Sequence, residues 1–379
     1  MATVVSEALR RGDTPKAPGM RGALFEFLLV GGLTPFLYPL SWLARRTFGL
    51  DASEYAIGFL MFHAAHLIND PHFSVTYLLF YEDFRARAFG AAFPPSLRAR
   101  YLVVGVLAPV VLLVWAGYGA VTRSAPALGA LVQTMFLLVG WHYVKQGFGV
   151  LAVLSARRGV TYTADERLLL LLHGYAGWAY AWASPADPGT LLEEKGVVFT
   201  SWARSVTLER VTFALFVASF AAVVVVLARR ARRERRLPHP APLLAYLSSI
   251  WAWSVYSGID PLVRYVVPAL HSIQYLVMVR LLRENEARER EGPPQFERSA
   301  RVRVGLLALS ALFLGLLLFH GVGQALDAVL VTKREAFLDS GPTPYFAAIY
   351  VVVNLHHYLM DTVLWRRENP RTRYLRGPI

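Results

Sequence analysis

The chain has no cysteine among its 379 residues. That excludes disulfides, thiolate-ligated haem, cysteine-ligated iron–sulfur clusters and a CxxCH haem attachment. Charge is sparse as well. Asp, Glu, Lys and Arg make up 17% of the residues against 55% hydrophobic, too apolar for an ordinary soluble enzyme. Lysine is nearly absent, with 4 residues beside 35 arginines; Lys16, Lys195 and Lys333 fall in tails or loops, and Lys145 alone lies well inside an apolar stretch. The sequence also lacks an internal repeat, a low-complexity tract and a soluble-domain boundary. Its first twenty residues are polar and basic, which reads as a cytoplasmic tail rather than a cleaved signal peptide.

What is abundant is apolar sequence in runs near or above the roughly 20 residues that cross a bilayer. Ten such runs are expected to be spans, at 22–43, 54–82, 101–121, 128–156, 165–183, 208–228, 241–257, 261–283, 303–331 and 344–365. The second contains Asn69-Asp70-Pro71 and reads as one crossing broken at the proline, which removes a helix hydrogen bond and clashes with the preceding turn. The expected fold is all-α, a polytopic membrane bundle of about ten transmembrane helices. It forms one domain over 22–365 between basic cytoplasmic tails at 1–21 and 366–379.

Orientation follows from the basic residues. With both termini cytoplasmic, the inside segments 1–21, 83–100, 157–164, 229–240, 284–303 and 366–379 hold 26 Lys and Arg. The outside loops at 44–53, 122–127, 184–207, 257–260 and 332–343 hold 7, as the positive-inside rule requires. A bacterial-type inner membrane is the expected location. The formal net charge of +13 then has a simple source. The run Arg229–Arg236 just past a helix end is a topology anchor that attracts anionic lipid headgroups. No aromatic or groove-reading element accompanies it, so nucleic acid is not an expected partner.

The polar residues inside these runs carry the chemistry. Nine of the ten histidines fall within expected spans, and only His239 lies in a loop. Ionisable groups at membrane depth face a protein interior and mark functional sites, and imidazole is the commonest metal ligand. Residues advance about 100° each on a helix, so i, i+3, i+4 and i+7 share a face. That rule joins His63, His66 and Asp70, with Tyr77 and Tyr81 added only if the helix runs straight through Pro71. It puts His72 elsewhere unless the break re-aims it. It joins Tyr350, Asn354, His357 and Asp361, with His356 turned about 100° away. It also groups His142 with Lys145, Gln146 and Gly149, and His271 with Gln274, Tyr275 and Met278. His320 aligns with Gln324 and Asp327, and His173 with Tyr180 and Glu166. A lone histidine in a bundle is more often an interhelical hydrogen bonder than a ligand, so His173 and His320 rank below the others. A charged Lys145 at this depth calls for a carboxylate, and Asp70 or Asp361 is the expected partner. Holding an acidic substrate group or forming a Schiff base are the other roles open to it.

The clusters His63-x-x-His66 with Asp70-Pro71-His72, and Asn354-Leu355-His356-His357, resemble those of the histidine-rich integral-membrane non-haem iron oxygenases. These include fatty-acid desaturases and hydroxylases, alkane monooxygenases and bacterial membrane carotene-cleaving dioxygenases. In the first two groups, HxxxH and HxxHH boxes hold two irons that activate oxygen against a C–H bond. Here the spacing of the first box differs and the third histidine of HxxHH is missing, so the similarity lies in the clusters and covers little of the chain.

The expected function is therefore a histidine-ligated membrane metalloenzyme acting on a lipid or isoprenoid that enters from the bilayer, served by an electron-donor protein. Iron, as one or two ions, is the expected cofactor, with zinc or haem as alternatives. His63, His66, His72, His142, His271, His356 and His357 are the ligand candidates. Asp70 and Asp361 would be ligands or would orient ligands, Tyr77 and Lys145 would assist catalysis, and Gln146, Gln274 and Asn354 would orient oxygen or substrate. Histidines from the second, fourth, eighth and tenth spans are expected to converge on one cavity. Two other classes compete: a haem-binding electron-transfer protein, and a proton-coupled transporter with a His/Asp relay.

Overall fold

The computed structural model describes residues 20–331 and 341–375. Most of the expected amino-terminal tail, residues 332–340 of the 332–343 loop with Lys333, and the last four residues lie outside the described residues.

The described chain is almost wholly helical. Its helices are α1 (Met20–Phe27), α2 (Thr34–Phe48), α3 (Leu50–Ala65), α4 (Asn69–Tyr81), α5 (Phe84–Phe89), α6 (Pro95–Val121), α7 (Ala125–Arg157) and α8 (Ala164–Ala183). They continue as α9 (Val206–Glu234), α10 (Pro240–Leu247), α11 (Pro261–Glu291), α12 (Ala300–Leu330) and α13 (Pro344–Leu364). One antiparallel hairpin, β1 (Leu191–Glu194) and β2 (Val197–Thr200), interrupts them, with Leu191 opposite Thr200.

Five helices, α6, α7, α9, α11 and α12, are long and apolar enough to cross a membrane. The pair α1 and α2 makes a sixth if it is one span bent by 64°. The bend sits at Gly31, whose φ of +150° is open to glycine but not to residues with a Cβ. Length and composition thus support five or six of the ten expected crossings. The segments expected at 54–82 and 241–257 are split into shorter pieces. In α13 the apolar run is diluted by Asn354, His356, His357 and Asp361, which belong to the site described below.

The break in the second segment lies a turn earlier than the proline suggests. Helix α3 ends at Ala65, residues 66–68 form a turn, and α4 restarts at Asn69. Pro71 therefore sits in the first turn of α4, where its missing N–H is no loss, and the turn it would have clashed with is already unwound.

Burial separates inner from outer helices. Half of the apolar stretch of α7 and of α11 is buried, against 28% for α6 and 17% for α9 and α12. Helices α4 and α13 are buried along most of their length. These four form the centre, and α6, α9 and α12 present apolar faces outward, as a lipid-facing layer would. Wide π-turns at Leu28–Gly32, Val103–Leu107, Ser248–Val255 and Leu317–Gly321 interrupt the helical ladder. Their freed carbonyls are taken by side chains: Gln274 Nε2 donates to Val30 O at 2.6 Å, Tyr81 to Gly105 O at 2.8 Å, and Ser254 to Ser249 O at 2.8 Å.

Ion pairs close the two ends. At one, Arg371 bridges Glu82 (2.7 Å) and Glu286 (2.6 Å), Arg283 bridges the same two carboxylates at 2.8 Å each, and Arg158 pairs with Glu26. At the other, Asp260 caps α11 through Leu262 N at 3.0 Å while holding Ser41 and Arg45. The carboxylate of Asp327 in α12 caps α13 by accepting from the N–H groups of Tyr345 and Phe346 at 2.9 and 2.8 Å.

A candidate metal centre between four helices

The four central helices each bring one histidine to a common point: His72 from α4, His142 from α7, His271 from α11 and His357 from α13. All four are buried. Nε2 of His142 lies 3.0 Å from Nε2 of His271 and 3.3 Å from Nε2 of His357. The His72 ring centroid is 4.5 Å from that of His357 and 5.0 Å from that of His271. Asp361, one turn beyond His357 on α13, brings Oδ2 within 3.5 Å of His142 Nδ1 and 3.6 Å of His357 Nε2. Two ligand sets, His72/His142/His271 and His142/His357/Asp361, share His142.

Hydrogen bonding alone does not account for this packing. A ring nitrogen carries either one proton or one in-plane lone pair, so His142 Nε2 can satisfy only one of its two close neighbours. Nε2 of His72, Nδ1 of His271 and Nδ1 of His357 are buried without a hydrogen-bond partner. Orphaned buried polar atoms are costly. A cation at the meeting point would take the Nε2 atoms of His142, His271 and His357 and the orphaned Nε2 of His72 together, while Nδ1 of His271 and of His357 would stay without a partner, and the spacing suits one. At metal–nitrogen distances of about 2.0–2.1 Å, two ligand atoms lie about 2.8–3.0 Å apart at a right angle and about 3.3 Å apart at a tetrahedral angle. The observed 3.0 and 3.3 Å fall on those values.

A surrounding layer fixes the ligands. Ser272 Oγ donates to Asn69 Oδ1 at 2.8 Å and meets His72 Nδ1 at 3.2 Å. The serine has one proton and gives it to Asn69, so His72 Nδ1 is the donor and its Nε2 keeps a free lone pair. Asp361 Oδ1 accepts from Tyr275 O–H at 2.9 Å and from Trp365 Nε1 at 3.0 Å. The Tyr275 hydroxyl lies 2.6 Å from Thr76 Oγ1. The Tyr358 ring stacks on His142 with centroids 4.8 Å apart.

The other sequence candidates fall elsewhere. His66, Asp70 and His320 form a separate, half-exposed group: Asp70 Oδ2 is 3.5 Å from His66 Nδ1 and 3.1 Å from His320 Nε2. The expected face of His63, His66 and Asp70 is realised only in part, because His63 is exposed and packs edge-on against Phe59 and Phe62. His356 has both nitrogens occupied, donating to Val104 O (2.9 Å) in a π-turn and accepting from the Tyr77 hydroxyl (3.1 Å). Those bonds hold His356 and Tyr77 away from the central cluster. His173 contacts Ser219 Oγ at 2.9 Å between α8 and α9. Gln146 donates to Gln274 and to His271 O, and Asn354 bonds Tyr350 O and Tyr358, so these amides brace the helices around the cluster.

Lys145 departs from its expected pairing. No carboxylate among the described residues lies within ion-pair distance of it; its ammonium sits 4.5 Å over the Trp141 ring. Asp361 is already held by Tyr275 and Trp365, and Asp70 faces His66 and His320. Sequence reasoning did not single out Ser272, Thr76, Tyr358 or Trp365. Trp365 follows Asp361 by four residues, and that spacing is the one signal that pointed to it.

Beside the cluster opens a cavity of about 710 Å³, lined in part by His142, Tyr275 and Asp361. No protein-family model matches the chain, and comparisons with curated proteins and with solved structures give no match either.

Proposed function

We propose that this chain is an integral-membrane metalloenzyme, a non-haem iron oxidoreductase acting on a lipid or isoprenoid. His72, His142, His271 and His357 would hold the metal, with Asp361 as a further ligand or as the anchor of the His142 and His357 rings. The observation that carries the reading is the approach of the His271 and His357 Nε2 atoms to 3.0 and 3.3 Å from His142 Nε2 inside a buried, four-helix centre. Nitrogen and carboxylate donors of this kind suit iron, zinc or manganese. The choice of iron and of oxygen chemistry rests on the resemblance of the histidine clusters to membrane non-haem iron oxygenases, and on the cavity at the cluster. When bound, such a metal would activate oxygen toward a C–H bond. The chain's own residues would exclude water, fix the ligand tautomers through Ser272 and Tyr275, and shape the cavity wall.

Haem fits this centre poorly. Axial imidazoles lie on opposite sides of a macrocycle, whereas these ring nitrogens lie too close to admit one. Ten crossings with cytoplasmic termini remain part of the reading. Support comes from the arginine balance and from the way segments assigned to one side meet one another, as Glu82, Glu286 and Arg371 do.

The test is elemental analysis and an optical spectrum of the detergent-purified protein, with oxygen uptake measured on added lipid. At least one iron per chain, no Soret band and lipid-dependent uptake are expected, with metal lost in His142→Ala and His271→Ala but kept in His239→Ala. Folded protein that carries no metal and moves protons with a solute would replace this reading with the relay transporter.

A further inference from the structure

The cavity changes chemical character along its length. Its lining includes the buried His142 and Tyr275 of the histidine cluster and an apolar stretch with Phe148, Val153, Ala156 and Met278, beside Lys145 and Gln146. Its exposed lining is basic, with Arg167 and Arg367 at the surface and Arg366 half-buried. From His142 to Ala156, α7 advances about 21 Å at 1.5 Å per residue, so the cavity is elongated along this helix. Its volume lies in the range of small-molecule sites. Asp361 is the one carboxylate that lines it among the described residues, and its Oδ1 is held by Tyr275 and Trp365. Arg366 pairs with the exposed Glu368 at 3.2 Å. Arg167 and Arg367 have no carboxylate within ion-pair distance among the described residues, and Lys145 is held over Trp141. An apolar channel with uncompensated guanidinium groups at one end matches one kind of ligand. Guanidinium binds carboxylate and phosphate through paired, charge-assisted hydrogen bonds.

We propose that the cavity binds an amphiphile with a single anionic head, carboxylate or phosphate, held by Arg167 and Arg367, with its apolar tail laid along α7 toward the histidines. This names the substrate class of the site and rests on the metalloenzyme reading for what happens to the tail, though not for binding. Arginines that serve only to orient the helices in the membrane would show no preference among ligands inside the cavity.

The experiment uses the full chain in uncharged nanodiscs. A spin-labelled fatty acid reports binding by quenching tryptophan fluorescence, since Trp141 and Trp365 line the cavity. Competitors are the unlabelled fatty acid, a lysophosphatidic acid, the fatty alcohol of equal length and inorganic phosphate. Both anionic amphiphiles should displace the probe, the alcohol should do so at least tenfold less well, and inorganic phosphate should not compete. The stronger of the two amphiphiles identifies the head as carboxylate or phosphate. The double variant Arg167→Gln/Arg367→Gln should lose the preference for acid over alcohol while its metal content and melting temperature stay unchanged. Equal competition by the alcohol, displacement by inorganic phosphate alone, or a double variant that keeps its preference would each overturn the proposal. Protein that purifies folded without metal yet shows the same competition pattern would instead sink the metalloenzyme reading and leave this one standing.

Discussion

Tyr275→Phe isolates the layer around the centre, because it deletes one oxygen and keeps the ring against His72, whose centroid is 4.5 Å away. The hydroxyl donates to Asp361 Oδ1 at 2.9 Å and faces Thr76 Oγ1 at 2.6 Å. Neither partner is stranded by its loss. Asp361 Oδ1 keeps Trp365 Nε1 at 3.0 Å, and Thr76 can turn to His72 O at 3.2 Å. The perturbation is therefore one hydrogen bond to a charged acceptor, about 1.5–3 kcal/mol. If Asp361 orients the ligands, that loss falls on the metal-bound state, and losing such an orienting partner costs about 10–100-fold in metal affinity. The two figures agree, since tenfold corresponds to about 1.4 kcal/mol. Competition against a chromophoric chelator in detergent measures the affinity. A Tyr275→Phe protein that binds metal as tightly as the native one, while Asp361→Ala does not, would refute the coupling. A loss as complete as that of His142→Ala would show that the substitution disrupts the fold rather than the ligand's orientation.

Three other outcomes are expected. His66→Ala and His320→Ala, which alter the half-exposed group around Asp70, should leave the metal of the central cluster in place, and metal analysis showing otherwise would merge the two groups. A topology reporter fused after Arg236 should behave as cytoplasmic and one inserted near Asp187 as external; the same side for both would overturn the crossing count. In the 184–207 loop, the Ser201 hydroxyl bonded to Asp187, with the Gly189 N–H and Arg204 adding to it, holds the Asp187 carboxyl below the usual carboxylate range. A pKa depressed by folding makes its stabilisation fully present above the unfolded value near 3.8 and lost as pH falls through the lower folded value. The protection factor of the Gly189 amide, its exchange rate compared with the intrinsic rate at the same pH, should accordingly fall in acid for the native chain and become less dependent on pH in Asp187→Asn; identical profiles would remove Asp187 from the account.

Helical arithmetic made much of this centre readable in advance. The pairings His142 with Lys145 and Gln146, His271 with Gln274 and Tyr275, and His357 with Asp361 each follow from the 100° step within one unbroken helix. Helix breaks and contacts between helices were not readable in that way. The turn at residues 66–68 resets the helical phase, so His63 and His66 could not be carried onto the face of His72, and it is His72 that reaches the cluster. The role of His356 depends on a π-turn in α6 that frees Val104 O, a feature of another helix. Lys145 was expected to seek a carboxylate, but the nearby ones are occupied and an aromatic ring takes the ammonium. Partners across the bundle such as Ser272 and Thr76 depend on how helices rotate against one another, which no single segment encodes.

The most direct measurement is X-ray absorption at the metal edge of the purified full-length protein. The account predicts at least three imidazole nitrogens at about 2.0–2.2 Å, with one nitrogen fewer in each of His72→Ala, His271→Ala and His357→Ala and no change in His66→Ala or His320→Ala. A spectrum without imidazole ligands, or one altered by His66→Ala and His320→Ala but untouched by the central substitutions, would contradict it.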